Sequence, residues 1–306
     1  MQVHLITDKL PDFKRSVITI GTFDGVHEGH RKIISALINE AKKIKGESVI
    51  ITFDPHPRKI LSSDRDIKLI NTLPEKIELL ARTGIDHLVI VPFTKDFSEL
   101  PADQYISEFL IKNFYPHTII IGYDHHFGKD RKGNFKLLEQ KGSVYKYNLL
   151  EIPRHVLEEI AVSSTKIRQA IQKSDIETAN LCLGYDFFFE GIVIKGDQLG
   201  RQLGFPTANL EYTDSEKIRL GHGVYAAYAE FDNIRLKGML SIGNRPTLYY
   251  SDVRIEINLF DWDQDIYGKV IRIIVKKYLR AQEKYNSLEE LKAQLAIDRK
   301  ESFKVL

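Results

Sequence analysis

The chain has 306 residues, 43% hydrophobic and 28% charged, with 44 Lys and Arg against 42 Asp and Glu for a formal net charge of +2. That length exceeds one ordinary core and suggests two domains. The even charge argues against a nucleic-acid track or an anionic membrane surface as partner, and Cys182, the single cysteine, excludes an intrachain disulfide or a cysteine-based zinc site. The first fifteen residues lack the apolar run of a signal peptide and no stretch approaches a membrane span, so a cytoplasmic protein is expected.

The first half alternates apolar runs with amphipathic helices. Residues 16–20 (SVITI) read as a strand, and in the next helix Ile33, Ile34, Leu37, Ile38, Ala41 and Ile44 line one face. Strands at 48–53, 87–91 and 117–121 then alternate with helices at 74–82 and 101–114. Such alternation predicts crossover units, a parallel sheet and a Rossmann-like α/β domain. Near residue 184 the pattern changes. Strands at 187–194, 224–231, 236–242, 254–260 and 270–278 follow one another through turns, and one good helix runs from Ser287 to about Ala296, with Glu290 spaced for a capping box. This half is expected to be a small antiparallel β-barrel with a terminal helix, giving domains over 1–184 and 185–306.

The segment GTFDGVHEGH (21–30) leaves the first strand and opens the first helix. Ligands of open parallel sheets collect at the carboxyl ends of strands, and helix N-termini offer unpaired amides to anions. Gly21, Gly25 and Gly29 would let backbone approach a phosphate chain, while His27 and His30 share a face of the first turn. Together they suit a triphosphate. TFDPHP (52–57), GYDHHFG (122–128) and VSSTKIR (162–168) can reach the same edge. Each alone also reads as plain structure: a proline-shaped turn, a glycine-bracketed loop, a capped helix. Their joint placement favours a site.

GTFDGVHEGH resembles the adenylyl-transfer signature of the nucleotidyltransferase superfamily. TFDPHP, GYDHHFG and SSTKIR narrow the resemblance to the bacterial bifunctional riboflavin kinase/FAD synthetase family, over nearly the whole chain. The resemblance implies that FMN phosphate attacks the α-phosphorus of ATP and pyrophosphate leaves. It places Gly21, Phe23, Asp24, His27 and His30 at ATP, with Ser164, Thr165 and Arg168 on the pyrophosphate side. Asp54, His56 and Asp124 fall on the flavin side, and His125 stands where family members often carry an aromatic residue. The attacking oxygen is already anionic, so catalysis reduces to positioning and charge stabilisation, with His27 and His30 as its main carriers.

In the second half GDQLGR (196–201) precedes LGFPTANL (203–210). Gly196 and Gly200 suggest a loop folded around phosphates, with Arg201 as a charged donor. Thr207 and Asn209, two apart in an extended segment, offer hard oxygen ligands on one side, suited to Mg²⁺ that also binds ATP. Alternation over 253–259 puts Arg254, Glu256 and Asn258 on one strand face, which in a generic barrel is a solvated face. GFPTAN is similar to the hallmark segment of riboflavin kinases. That resemblance makes Glu256 the general base for the riboflavin 5′-hydroxyl as it attacks the γ-phosphorus of ATP. No GxxxxGK[ST] occurs, so the kinase falls outside the P-loop class.

The expected protein therefore makes FMN and then FAD, with riboflavin, FMN and ATP as small-molecule partners, Mg²⁺ as metal and no nucleic acid or membrane. Nothing in the pattern specifies an oligomer. Two other readings use the same motifs: one active half beside a flavin-binding module, or a flavin-responsive regulator without turnover.

Overall fold

Runs of Val and Ile such as VITI and SVIITF carry no polar alternation and can only be buried on both faces of a sheet. The computed structural model describes residues 1–61, 67–153, 162–196, 200, 204–244 and 253–306. Strands β1 (Gln2–Leu5), β2 (Val17–Ile20), β3 (Ser48–Asp54), β4 (His87–Pro92), β5 (Thr118–Gly122) and β6 (Asn148–Ile152) form one sheet in the order β1-β4-β3-β2-β5-β6. Every pairing is parallel. The edge strands β1 and β6 are new relative to the sequence reading. Most of their residues are exposed, so they lack the continuous apolar run that betrays the central four.

The helices of this part are α1 (Glu28–Ile44), α2 (Pro57–Leu61), α3 (Leu73–Ala81), α4 (Lys95–Ser98), α5 (residues 102–114, with a π-helical middle at Tyr105–Ile111) and α6 (Phe135–Tyr145). Helix α1 buries Ile34, Leu37 and Ala41, the predicted face. Beside β2 the winding reverses: β3, β4 and β1 lie to one side, β5 and β6 to the other. The crevice at the carboxyl ends of strands at such a reversal is where open α/β sheets bind ligands.

The described residues divide into two compact units at Ser163 and Ser164, earlier than the change of pattern near residue 184. The physical reason is a helical pair, α7 (Ser164–Gln172) and α8 (Ile176–Leu183), packed with the second unit. The Asn180 side chain donates to the Val275 carbonyl at 2.9 Å and accepts from the Phe187 amide at 2.7 Å, which ties α8 to barrel strands.

The barrel strands are β7 (Phe188–Ile194), β8 (Ala208–Tyr212), β9 (Gly223–Phe231), β10 (Ile234–Asn244), β11 (Val253–Leu259) and β12 (Val270–Arg280), closed in the order β10-β11-β8-β7-β12-β9 with antiparallel pairing. Strand β8 begins in the last two residues of the GFPTAN segment, which sequence had read only as extended, and runs on to Tyr212. The terminal helix α9 (Leu288–Val305) runs further than its cap alone indicated. Ser287 Oγ accepts from the Glu290 amide at 3.1 Å, but the Glu290 carboxylate returns to the Asn286 amide at 3.0 Å, one residue before the cap.

Arg280, at the end of β12, grips Asp298 of α9 with two bonds of 2.8 and 2.6 Å. Asp298 is only 2% exposed, and the pair explains how the last helix is held on the barrel. Removing one partner of a buried pair strands the other charge. Asp298→Ala is expected to cost about 3 kcal/mol, read as a lower urea midpoint with FAD formation from supplied FMN unaffected.

Candidate functional sites

The loop from Gly21 to His27 joins β2 to α1 and is strained. Phe23 and Val26 sit in the left-handed region at φ 48° and 37°, with Gly25 at 91°. A β-branched residue there is an outlier, and such strain persists only where the surroundings enforce it. One enforcing contact is the Asp24 carboxylate, 1% exposed, which accepts the amides of Ile70 at 3.0 Å and Asn71 at 3.1 Å just before α3. Asp24→Ala would leave those buried amides unpaired, an expected loss of about 3 kcal/mol in urea unfolding. The loop is further tied to β3, where Gly21 N–H donates to Ile51 O at 3.0 Å and Thr52 Oγ1 to Thr22 O at 3.2 Å.

His27 is the N-cap of α1: its Nδ1 accepts the His30 amide at 3.3 Å. With Nδ1 accepting, a neutral His27 carries its proton on Nε2. The His30 ring stacks on His27 at 3.6 Å and lies 5.1 Å from the Phe23 ring. Burial first, then His27 and Lys76, hold His30 well below the usual histidine range, so it is a neutral imidazole at pH 7. Its Nδ1 is buried without a hydrogen-bond partner among the described residues. The glycines serve more locally than sequence implied. A Cβ on Gly29 would press the His27 ring at 3.2 Å, and one on Gly21 the Phe23 ring at 3.1 Å. Gly25 alone is required by its backbone.

The other two loops after central strands reach the same sheet edge. Asp54 ends β3, and His56 is buried with Nδ1 accepting the Arg58 amide at 3.2 Å. After β5, Phe127 enters the core and stacks on Tyr105 at 4.9 Å, which anchors the loop; Asp124 is left exposed. Between them His125 is drawn down to about 4, mainly by burial, and its Nε2 has no partner among the described residues. Ser164, Thr165 and Arg168 open α7, in the second unit.

A residue that sequence reasoning passed over is Lys76. It shares the buried face of α3 with Leu79 and Leu80 and is 5% exposed. Burial pulls its ammonium downward, while Asp24 and Asp54 pull it up. The available signal was a charged residue at an apolar-face position of an amphipathic helix.

In the barrel, antiparallel register sets Glu256 of β11 directly opposite Asn209 of β8 and Ser241 of β10. Thr207 Oγ1 points at Glu256 Oε2 at 3.5 Å, and Arg254 Nη1 lies 4.0 Å from Oε1. Glu256 is one-third exposed, so its carboxylate is accessible. Asn258, by contrast, is buried and donates to the Pro206 carbonyl at 2.6 Å, holding the GFPTAN segment rather than facing solvent. Gly196 lies so close to Asn209 that any Cβ would overlap its amide, and a Cβ on Gly200 would overlap the Phe205 carbonyl. Arg201 lies outside the described residues. Gln282 donates to Ser241 Oγ at 2.9 Å, which brings the loop after β12 beside this cluster.

A stacked histidine pair at a helix N-terminus in one unit, and a carboxylate among hydroxyl and amide oxygens in the other, are groups of the kind that transferases use on phosphates. Comparisons with known proteins agree. The FAD synthetase family model matches residues 9–166 and the riboflavin kinase model residues 183–306. The bifunctional riboflavin kinase/FMN adenylyltransferase of Escherichia coli (strain K12) is 35% identical, covering 92% of this chain and 90% of that protein. The one from Bacillus subtilis (strain 168) is 35% identical over 98% of this chain and 95% of that protein. The chain belongs to the bifunctional riboflavin kinase/FMN adenylyltransferase family. A solved structure described as a macrolide-efflux protein from Streptococcus pneumoniae has the same fold, with a TM-score of 0.88, 28% identity and 97% of each chain covered. Among the described residues no helix is long and apolar enough to cross a membrane.

Proposed function

We propose that the C-terminal domain, residues 185–306, phosphorylates riboflavin through Glu256, and that the N-terminal domain, residues 1–184, adenylylates FMN at the His27–His30 site. The observation that carries this reading is the meeting of Glu256, Thr207 and Asn209 across β8 and β11, far in sequence yet in register. A neutral alcohol must lose its proton as it attacks phosphorus, and a carboxylate in reach of that proton supplies the base. Glu256 takes the 5′-hydroxyl proton, the oxygen bonds to the γ-phosphorus, and ADP leaves.

The oxygens of Thr207 and Asn209, beside a carboxylate, fit a hard divalent cation that keeps waters and shares ATP phosphates. Mg²⁺ held there would neutralise phosphate charge. Gly196 and Gly200 let the loop fold close to these ligands, with Arg201 as phosphate donor. In the N-terminal domain an FMN phosphate oxygen bonds to the α-phosphorus of ATP as pyrophosphate leaves. The His27 and His30 rings and the amides of α1 hold the phosphate chain, with Gly21, Phe23 and Asp24 shaping the loop that presents them. Ser164, Thr165 and Arg168 take the pyrophosphate side, and Asp54, His56 and Asp124 the flavin side. The partners are small molecules, not nucleic acid or membrane, and the setting is the cytoplasm.

The test is a chromatographic time course of purified protein with riboflavin, ATP and Mg²⁺. FMN followed by FAD is expected. FMN without FAD would sink the N-terminal assignment, and conversion of supplied FMN with riboflavin untouched would sink the C-terminal one.

A further inference from the structure

An ammonium group in a protein interior is costly unless an opposite charge sits against it. Lys76 is 5% exposed, yet among the described residues its ammonium makes no ion pair and no hydrogen bond. The two carboxylates that attract it act from a distance. One of them, Asp24, is already engaged by the Ile70 and Asn71 amides. His30, neutral, has a buried nitrogen with no partner among the described residues and is close enough to feel the Lys76 charge. The N-terminus of α1 adds its partial positive charge to the same region. The surroundings thus combine donors and positive charge that the folded chain leaves unanswered.

From this juxtaposition we infer that Lys76 is a phosphate-binding residue of the adenylyl-transfer site, its ammonium held for the oxygens of the phosphoryl group in transfer. The inference rests on the assignment of that reaction to the N-terminal domain. In the step, an FMN phosphate oxygen forms a bond to the α-phosphorus, the bond from that phosphorus to the bridging oxygen breaks, and pyrophosphate keeps the electron pair. Lys76 gives up no proton. It supplies a fixed charge where negative charge spreads over the equatorial oxygens, which is worth most in a site screened from water. Helix α3 delivers the group: its capping box, Thr72 with Glu75, fixes the first turn, and the Asp24 clamp fixes the segment before it.

The experiment uses the full chain, with Lys76→Met and Lys76→Arg, and measures FMN formation from riboflavin, FAD formation from supplied FMN, and thermal unfolding without ligand. Lys76→Met is expected to lower kcat for FAD formation by about 100-fold with FMN formation unchanged. Because the substitution removes an unpaired buried charge and keeps the stem, the ligand-free unfolding midpoint should hold or rise, as it does where function costs stability. Lys76→Arg should recover part of the lost FAD activity. Wild-type FAD formation in Lys76→Met overturns the inference. So does a fall in the unfolding midpoint with Lys76→Arg equally inactive, which would mark a structural lysine. His30→Ala separates the two levels: if it too makes FAD normally, the site assignment itself fails, whereas an inactive His30→Ala beside an active Lys76→Met overturns Lys76 alone.

Discussion

Glu256→Gln is expected to reduce FMN formation from riboflavin by at least about 100-fold while leaving FAD formation from supplied FMN intact. Glutamine keeps the volume of the side chain and can still accept from Thr207 Oγ1, so the cluster on β8 and β11 should survive. What it loses is the capacity to take a proton. Placement supports the size of the effect, since Glu256 is one-third exposed among polar neighbours and can meet a substrate hydroxyl. The measurement is a pair of chromatographic assays on one preparation, each activity serving as the folding control for the other. Undiminished FMN formation would remove Glu256 as base. Equal loss of both activities would break the two-site picture.

His30→Ala should do the reverse, lowering FAD formation by about 100- to 1000-fold so that FMN accumulates from riboflavin. The His30 ring is stacked on His27 and buried, with a nitrogen that finds no partner within the described residues. Deleting it removes the proposed phosphate contact and leaves the His27 ring unsupported on one face. Since burial keeps His30 neutral, its role as a hydrogen-bonding group does not depend on protonation near pH 7. Titration of His30 should therefore leave no step in the FAD-forming rate between about pH 6 and 8, which a pH series in a constant-ionic-strength buffer would check.

Much of the fold could be read from local pattern because the pattern follows burial. The four central strands of the sheet are mostly apolar and buried nearly end to end, and the barrel strands are separated by turn residues. Edge strands escaped, since β1 and β6 expose most of their residues to solvent and look like loop. Helix α7 was legible as the helix that VSSTKIR enters, but that it and α8 pack with the barrel, through contacts such as Asn180 to Val275, lies in no local window. The Arg280–Asp298 grip is likewise invisible locally, although both residues are plain in the sequence.

For the sites, sequence alone determined the chemistry: which residues cluster in motifs, that one motif opens a helix after a strand, and that GFPTAN accompanies a mid-strand glutamate. These are properties of neighbours along the chain, and residue type with spacing is enough to express them. Tertiary structure decided how those residues are used. It turned Asp24 toward the amides before α3, made His27 the cap of α1, gave Gly29 to the His27 ring, and set Glu256 opposite Asn209. It also brought Lys76 into the neighbourhood of His30 and Asp54, some twenty to fifty positions away along the chain. Burial and charge act through space, and only the folded chain sets those distances.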